Sequence, residues 1–91
     1  MNQRLQYKYG LVSNNVVRNP ELCLRSKGLY AYLCTYADTN NECTVSVNRI
    51  AAECNLSHSS VKRIIDILVK KGVIVREERG ILQSYKTIII K

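Results

Sequence analysis

The 91-residue sequence lacks the features that most enzymes and membrane proteins require. It has one histidine, no glycine-rich phosphate loop and no acid and base paired at a spacing typical of a catalytic site. No apolar run approaches the roughly 18 residues of a membrane span, and the N-terminus has no apolar core resembling a signal peptide. We therefore expect a cytoplasmic protein that is not an enzyme, uses no cofactor and has no membrane partner.

The four cysteines lack the close spacing of a typical metal site. No two of them form a CxxC pair, and no pair of histidines lies nearby. The four are Cys23, Cys34, Cys43 and Cys54. Zinc sites usually use such close pairs, and thiols in the cytosol stay reduced. We expect buried or half-buried free thiols and no metal ligands, and stoichiometric zinc would overturn that assignment.

Acidic residues are scarce, and the charge is unevenly distributed. Lysine and arginine number 14 against 7 aspartates and glutamates, which leaves a net charge of +7. Residues 1–37 carry +4, residues 38–55 carry −2, and residues 56–91 carry +5. This excess fits a polyanionic partner such as nucleic acid, although a basic solvated surface would have the same composition.

Two adjacent segments, residues 46–55 and 57–72, have the pattern of a helix-turn-helix. Ser46 and Ser57 are each suited to cap a helix start, and Gly72 is suited to the residue that follows a helix end. The second segment spaces its apolar residues along one helical face: Val61, Ile64, Ile65 and Leu68. Its other face is polar and basic, as in a recognition helix that enters a DNA groove.

Two stretches of strand-forming residues follow this second helix. Residues 73–77 and 85–90 are rich in β-branched residues, and a turn candidate at 78–80 separates them. A hairpin directly after a recognition helix is the wing of a winged helix. The order predicts an α+β fold: one winged helix-turn-helix domain over residues 1–91, with three main helices, a helix-turn-helix at about 46–72 and a wing at about 73–90.

Another helix is predicted upstream, from about Leu24 to Ala37. Leu29, Leu33 and Tyr36 form one stripe on it, with Tyr30 beside them. A polar turn cluster at 38–41 ends the helix. Tyrosines at such positions are expected in the core with their hydroxyls at its rim, and stacking on nucleic-acid bases is the alternative.

The candidate DNA contacts lie around the second helix and on the wing. Lys62 and Arg63 are expected to contact base edges or phosphates, while Ser57 and Ser60 orient the helix on the DNA backbone. Arg79 at the wing tip and Lys86 on the returning strand have an expected secondary role. The full set is Ser46, Ser57, His58, Ser59, Ser60, Lys62, Arg63, Arg79, Gln83, Ser84 and Lys86.

Nearly the whole chain resembles the "helix-turn-helix domain 36" type of winged-helix module. The resemblance depends on residues 9–20 (YGLVSNNVVRNP), residues 24–33 (LRSKGLYAYL) and matches within residues 46–74. Residues 44–46 (TVS) depart from the aromatic-Pro-Ser that the family usually has there, and Cys23 stands where a serine is usual. The resemblance implies double-stranded DNA binding by the helix after Ser57, assisted by the wing.

Modules of this type occur in replication initiators of Gram-positive plasmids and phages and in related proteins of mobile elements. Many continue into a second domain, whereas this sequence ends at Lys91. We therefore expect a sequence-specific regulator, or an accessory protein that binds an origin of replication or conjugative transfer. A homodimer on repeated sites, contact with replication or transfer machinery, and a protein–protein adaptor without DNA readout remain open.

Overall fold

The computed structural model describes residues 9–77 and 86–90. In chain order, the elements are α1 (Asn14–Val17), α2 (Leu24–Tyr36), β1 (Glu42–Cys43), α3 (Val47–Cys54), α4 (His58–Lys70), β2 (Ile74–Glu77) and β3 (Lys86–Ile89). The predicted α+β winged helix is confirmed. Helix α1 is a single turn in addition to the three main helices that the sequence predicts.

The strands form one antiparallel sheet in the order β1-β3-β2. Glu77 lies opposite Lys86 and Ile74 opposite Ile89, which confirms the predicted pairing of the two wing strands. Strand β1 was not predicted from the sequence. It is two residues long, which is too short to show an alternating pattern of apolar and polar residues. Its partner strand is also distant in the sequence, since Glu42 pairs with Ile88.

The helix-turn-helix begins and ends where local chemistry predicts. The Ser46 hydroxyl accepts a hydrogen bond from the Arg49 backbone N–H at 3.1 Å and so caps α3. Asn55 then adopts a left-handed conformation with φ 57°, which ends α3 and turns the chain toward α4. Gly72 has φ 75° after the end of α4, a conformation that glycine adopts without steric cost.

The core lies where α2, α3 and α4 pack together and where α4 meets the sheet. The predicted apolar face of α4 is buried along its full length, and α2 contributes its largest apolar side chains. The largest fully buried side chains are Tyr30, Leu33, Ile50, Leu68, Ile74, Val61, Cys34 and Ser26. Burial of α4 on one side leaves its polar side facing outward.

The segment before α1 is attached to α2 by two close contacts. Tyr30 is fully buried, and its hydroxyl accepts a hydrogen bond from the Ser13 backbone N–H at 3.0 Å. Tyr30 is therefore a core residue with its hydroxyl at the edge, as the sequence predicts. A Cβ atom on Gly10 would lie 2.9 Å from the Cys34 carbonyl oxygen, so this approach requires glycine.

Candidate nucleic-acid interface

The outward face of α4 is polar and basic over its first two turns. His58, Ser59, Lys62 and Arg63 are exposed, and Ser60 is half-buried. These residues project away from the buried apolar face because side chains repeat every 3.6 residues along a helix. The structure thus brings five of the predicted contacts together on one accessible surface.

Lys62 and Arg63 are exposed cations on the outward face of α4. Within the described residues, neither side chain forms an ion pair at 4.0 Å or less. Arginine and lysine on an exposed helix face can bind phosphate oxygens or the acceptor atoms of guanine in the major groove. That both side chains contact DNA stays a prediction.

The two predicted serines at helix starts have structural partners. The Ser57 hydroxyl accepts from the Ser60 backbone N–H at 3.2 Å and donates to the Ser60 hydroxyl at 3.0 Å. It therefore satisfies one of the free N–H groups at the start of α4. Ser46 has the same role at the start of α3. Capping accounts for both serines, and their contact with DNA stays a prediction.

Substitution of Ser57 can separate capping from DNA binding. We expect Ser57→Ala to lower the free energy of unfolding by about 1 kcal/mol, because a backbone donor loses its partner. Ser57→Asp should keep the cap, since aspartate is an equally good capping residue, but should weaken binding to duplex DNA through repulsion of phosphates. Urea denaturation and a DNA titration of both variants would test this. Equal DNA affinity of Ser57→Asp and the wild type would place Ser57 away from the phosphates.

The wing strands hold Lys86 between two carboxylates. Its ammonium lies 3.4 Å from Glu77 Oε1 and 3.7 Å from Glu42 Oε1, which ties β3 to both neighbouring strands. A phosphate would have to compete with these two partners, so the secondary role expected for Lys86 stays a prediction. Arg79, Gln83 and Ser84 lie outside the described residues.

A groove of about 450 Å³ lies where α3, α4 and β2 meet, and the sequence does not predict it. Lys62, Asp66 and Arg76 provide its charged lining. Its apolar walls are Val47, Ile65 and Val69. The helical period could have identified Asp66 as a neighbour of Lys62, but Arg76 belongs to another element and reaches this groove only through the fold.

Two tyrosines link α2 to α3 and so help to position the helix-turn-helix. The hydroxyls of Tyr32 and Tyr36 donate to the same oxygen, Oε1 of Glu53, at 2.5 and 2.7 Å. These bonds lower the pKa of the Glu53 carboxyl, and the Arg49 guanidinium, 4.0 Å from its other oxygen, lowers it further. Both rings therefore have an intramolecular role, as expected for tyrosines at the edge of a core.

All four cysteines are free thiols, but one of them lies outside the core. Cys34 and Cys43 are buried and Cys54 is half-buried, whereas Cys23 is exposed at the residue before α2. The expectation of burial was therefore wrong for Cys23, because it lies at the exposed start of α2, where its thiol contacts the Ser26 hydroxyl at 3.4 Å and remains accessible. Across residues 9–77 and 86–90, no three His, Cys, Asp or Glu side chains are grouped to hold a metal ion.

The thiols should differ widely in reactivity. A hydrogen bond with the Ser26 hydroxyl lowers the pKa of exposed Cys23, whereas burial raises the pKa of Cys43 to about 11. At pH 8, alkylation should therefore modify Cys23 much faster than Cys43, because the thiolate is the reactive species. Mass spectrometry over time would measure the order, with urea-unfolded protein as the control. Equal rates for Cys23 and Cys43 in folded protein would contradict this prediction.

No helix of the described residues is both long and apolar enough to span a bilayer. Among solved structures, the chain is similar to a MarR-like transcriptional regulator from Thermotoga maritima, with a TM-score of 0.63 and 17% sequence identity. The alignment covers 98% of this chain and 57% of that one, so this chain spans little more than half the length of its structural neighbour.

The family match covers the whole helix-turn-helix. No curated protein matches the chain. The model of a family described as "Helix-turn-helix domain" matches residues 21–74, from the residue before Leu22 to the start of β2. With the capped α3 and α4 and the paired wing strands already established, this match shows that the chain belongs to the helix-turn-helix domain family and carries that motif in a winged helix.

Proposed function

We propose that this protein is a sequence-specific regulator that binds double-stranded DNA through α4. The observation that carries the proposal is the pair Lys62 and Arg63, exposed on the outward face of a well-capped helix without a carboxylate partner among the described residues. A rigid helix with such a face fits the major groove. The family match and the winged-helix fold support the same role.

The distribution of charge favours DNA over a protein partner. Residues 56–91, which include α4 and the wing, carry a net charge of +5. An adaptor that docks on another protein would not need this excess beside the recognition helix, whereas duplex DNA carries one negative charge for about every 1.7 Å of its axis. The proposal assigns the chain a binding role and no catalysis.

The process that this binding serves is a further part of the proposal. The resemblance to modules of plasmid and phage replication initiators favours a protein of a mobile element, acting at an origin of replication or transfer or as a transcriptional regulator. The structural neighbour is described as a transcriptional regulator. Binding to an origin would have the same local chemistry as binding to an operator, so the bound sequence and its genomic position distinguish the two.

Selection from a random pool of duplex DNA tests the proposal. We expect enrichment of a defined sequence, and affinity that falls as salt rises because bound lysines and arginines release counterions from the DNA. An inverted repeat in the selected sequence would also indicate a homodimer, since half-site spacing reflects protein symmetry. Absence of any enriched sequence, or equal binding to an unrelated polyanion such as heparin, would contradict a sequence-specific role.

A further inference from the structure

Asp66 is the only acidic residue of α4, and it lies on the exposed side of the helix, just beyond the residues that the proposed function assigns to DNA. It is exposed, one turn after Lys62 and three residues after Arg63. It also lines the groove between α4 and β2, together with Lys62 and Arg76. A carboxylate here would repel the phosphates that the neighbouring cations attract.

Helix propensity does not explain an aspartate at this position, because aspartate is among the poorer helix formers. Lys62 and Lys70 lie one turn before and one turn after Asp66, and only the order Asp66 then Lys70 is the favourable one for an ion pair four residues apart. Over the described part of the chain, Asp66 forms no ion pair at 4.0 Å or less. The Asp66 carboxylate is therefore available to accept a hydrogen bond from a ligand.

The chemistry of a carboxylate narrows what Asp66 can recognise on DNA. An ionised carboxylate only accepts hydrogen bonds, so phosphate oxygens and the acceptor atoms of guanine are poor partners. The major groove presents two amino donors, N6 of adenine and N4 of cytosine. The N6 group stands beside the N7 acceptor, which would repel a carboxylate, so cytosine N4 is the donor that suits aspartate. The positive charges of Lys62 and Arg76 in the same groove would offset repulsion from the flanking phosphates.

We infer that Asp66 is a specificity-determining residue, whose carboxylate accepts a hydrogen bond from the N4 amino group of a cytosine in the major groove. This inference rests on the proposed function, because it requires α4 to lie in that groove. Asp66 would then select one base pair, while Lys62 and Arg63 supply affinity with less dependence on sequence.

The test compares sequences selected from random duplex DNA by the wild type, Asp66→Ala and Asp66→Asn. The wild type should prefer a cytosine at one position by about 5-fold over other bases, the lower end of the range for a bidentate pair, because the carboxylate accepts a single hydrogen bond there. Asp66→Ala should lose the preference at that position and keep the others. Asp66→Asn should prefer adenine there, because an asparagine amide pairs with the N6 and N7 atoms of adenine.

Glu21→Gln is the matched control, since it removes one negative charge from an exposed carboxylate that pairs with Lys71 outside the groove. It should select the wild-type sequence. If Asp66→Ala and Asp66→Asn also select that sequence, even with higher affinity, Asp66 is only a repulsive charge and the inference is wrong while the proposed function stands. If the wild type enriches no sequence, the proposed function and the inference are both wrong.

Discussion

Replacing Lys62 and Arg63 together with alanine is expected to lower the affinity for the selected duplex by roughly 100-fold or more. An arginine that pairs with a guanine contributes about 1–3 kcal/mol, and loss of a lysine–phosphate contact adds to this. Both side chains are exposed on α4 and have no carboxylate partner among the described residues, so their removal should leave the fold intact. Titration of labelled duplex at several salt concentrations measures the loss.

The single variants separate the two contributions. If Arg63 reads a base, Arg63→Ala should relax the sequence preference at one position. If Lys62 contacts a phosphate, Lys62→Ala should weaken binding to all duplexes alike and reduce the salt dependence by about one counterion.

A double variant of Arg18 and Arg25 controls for net charge. Both arginines are exposed and lie outside α4 and the sheet. Replacing them with alanine therefore removes two positive charges without changing the proposed interface. We expect a much smaller loss of affinity in this variant. Wild-type affinity of a correctly folded Lys62→Ala, Arg63→Ala protein would show that α4 does not bind DNA with these residues.

Leu68→Ala is expected to have the largest effect on stability. Leu68 is fully buried on the core side of α4, and its truncation leaves a cavity between the helices. Such substitutions cost about 2–5 kcal/mol, a large fraction of the roughly 5–15 kcal/mol that stabilises a typical domain. Urea denaturation followed by circular dichroism should show a much lower midpoint, or a chain that is largely unfolded without urea.

Val69→Ala is the matched control for this effect. Val69 is the next residue of the same helix but is 40% exposed, so its truncation opens no enclosed cavity. We expect it to lower the free energy of unfolding by less than about 1 kcal/mol. Similar midpoints for the two variants would mean that the two faces of α4 do not differ in burial, in conflict with the packing described above.

The helix-turn-helix was predictable because its signals are local. Ser46 and Ser57 cap helices through backbone groups three residues away, and Gly72 ends α4 through its own backbone angle. The apolar face of α4 follows from a period of 3.6 residues within one helix. Each of these signals involves residues close together in the chain, so the sequence is enough to read them.

Strand β1 and the surroundings of Lys86 were not predictable in this way. Glu42 is 44 residues before Lys86 in the chain, and the two meet only because β3 lies between β1 and β2. The sequence indicates only that Lys86 is a cation on the wing, whereas the fold pairs it with Glu42 and Glu77. Contacts of this kind depend on which strands pair. A two-residue strand such as β1 is too short to show the periodic pattern that would predict its pairing from the sequence.

The sequence by itself determined the fold class, the bounds of the recognition helix and the division of α4 into a buried and an outward face. Only the tertiary structure decided which charges share a surface with that face. It placed Arg76 of β2 across a groove from Lys62 and Asp66, and it linked Tyr32 and Tyr36 to Glu53. The physical reason is that capping and helical periodicity act between near neighbours in the chain, whereas the lining of a groove depends on how separate elements pack.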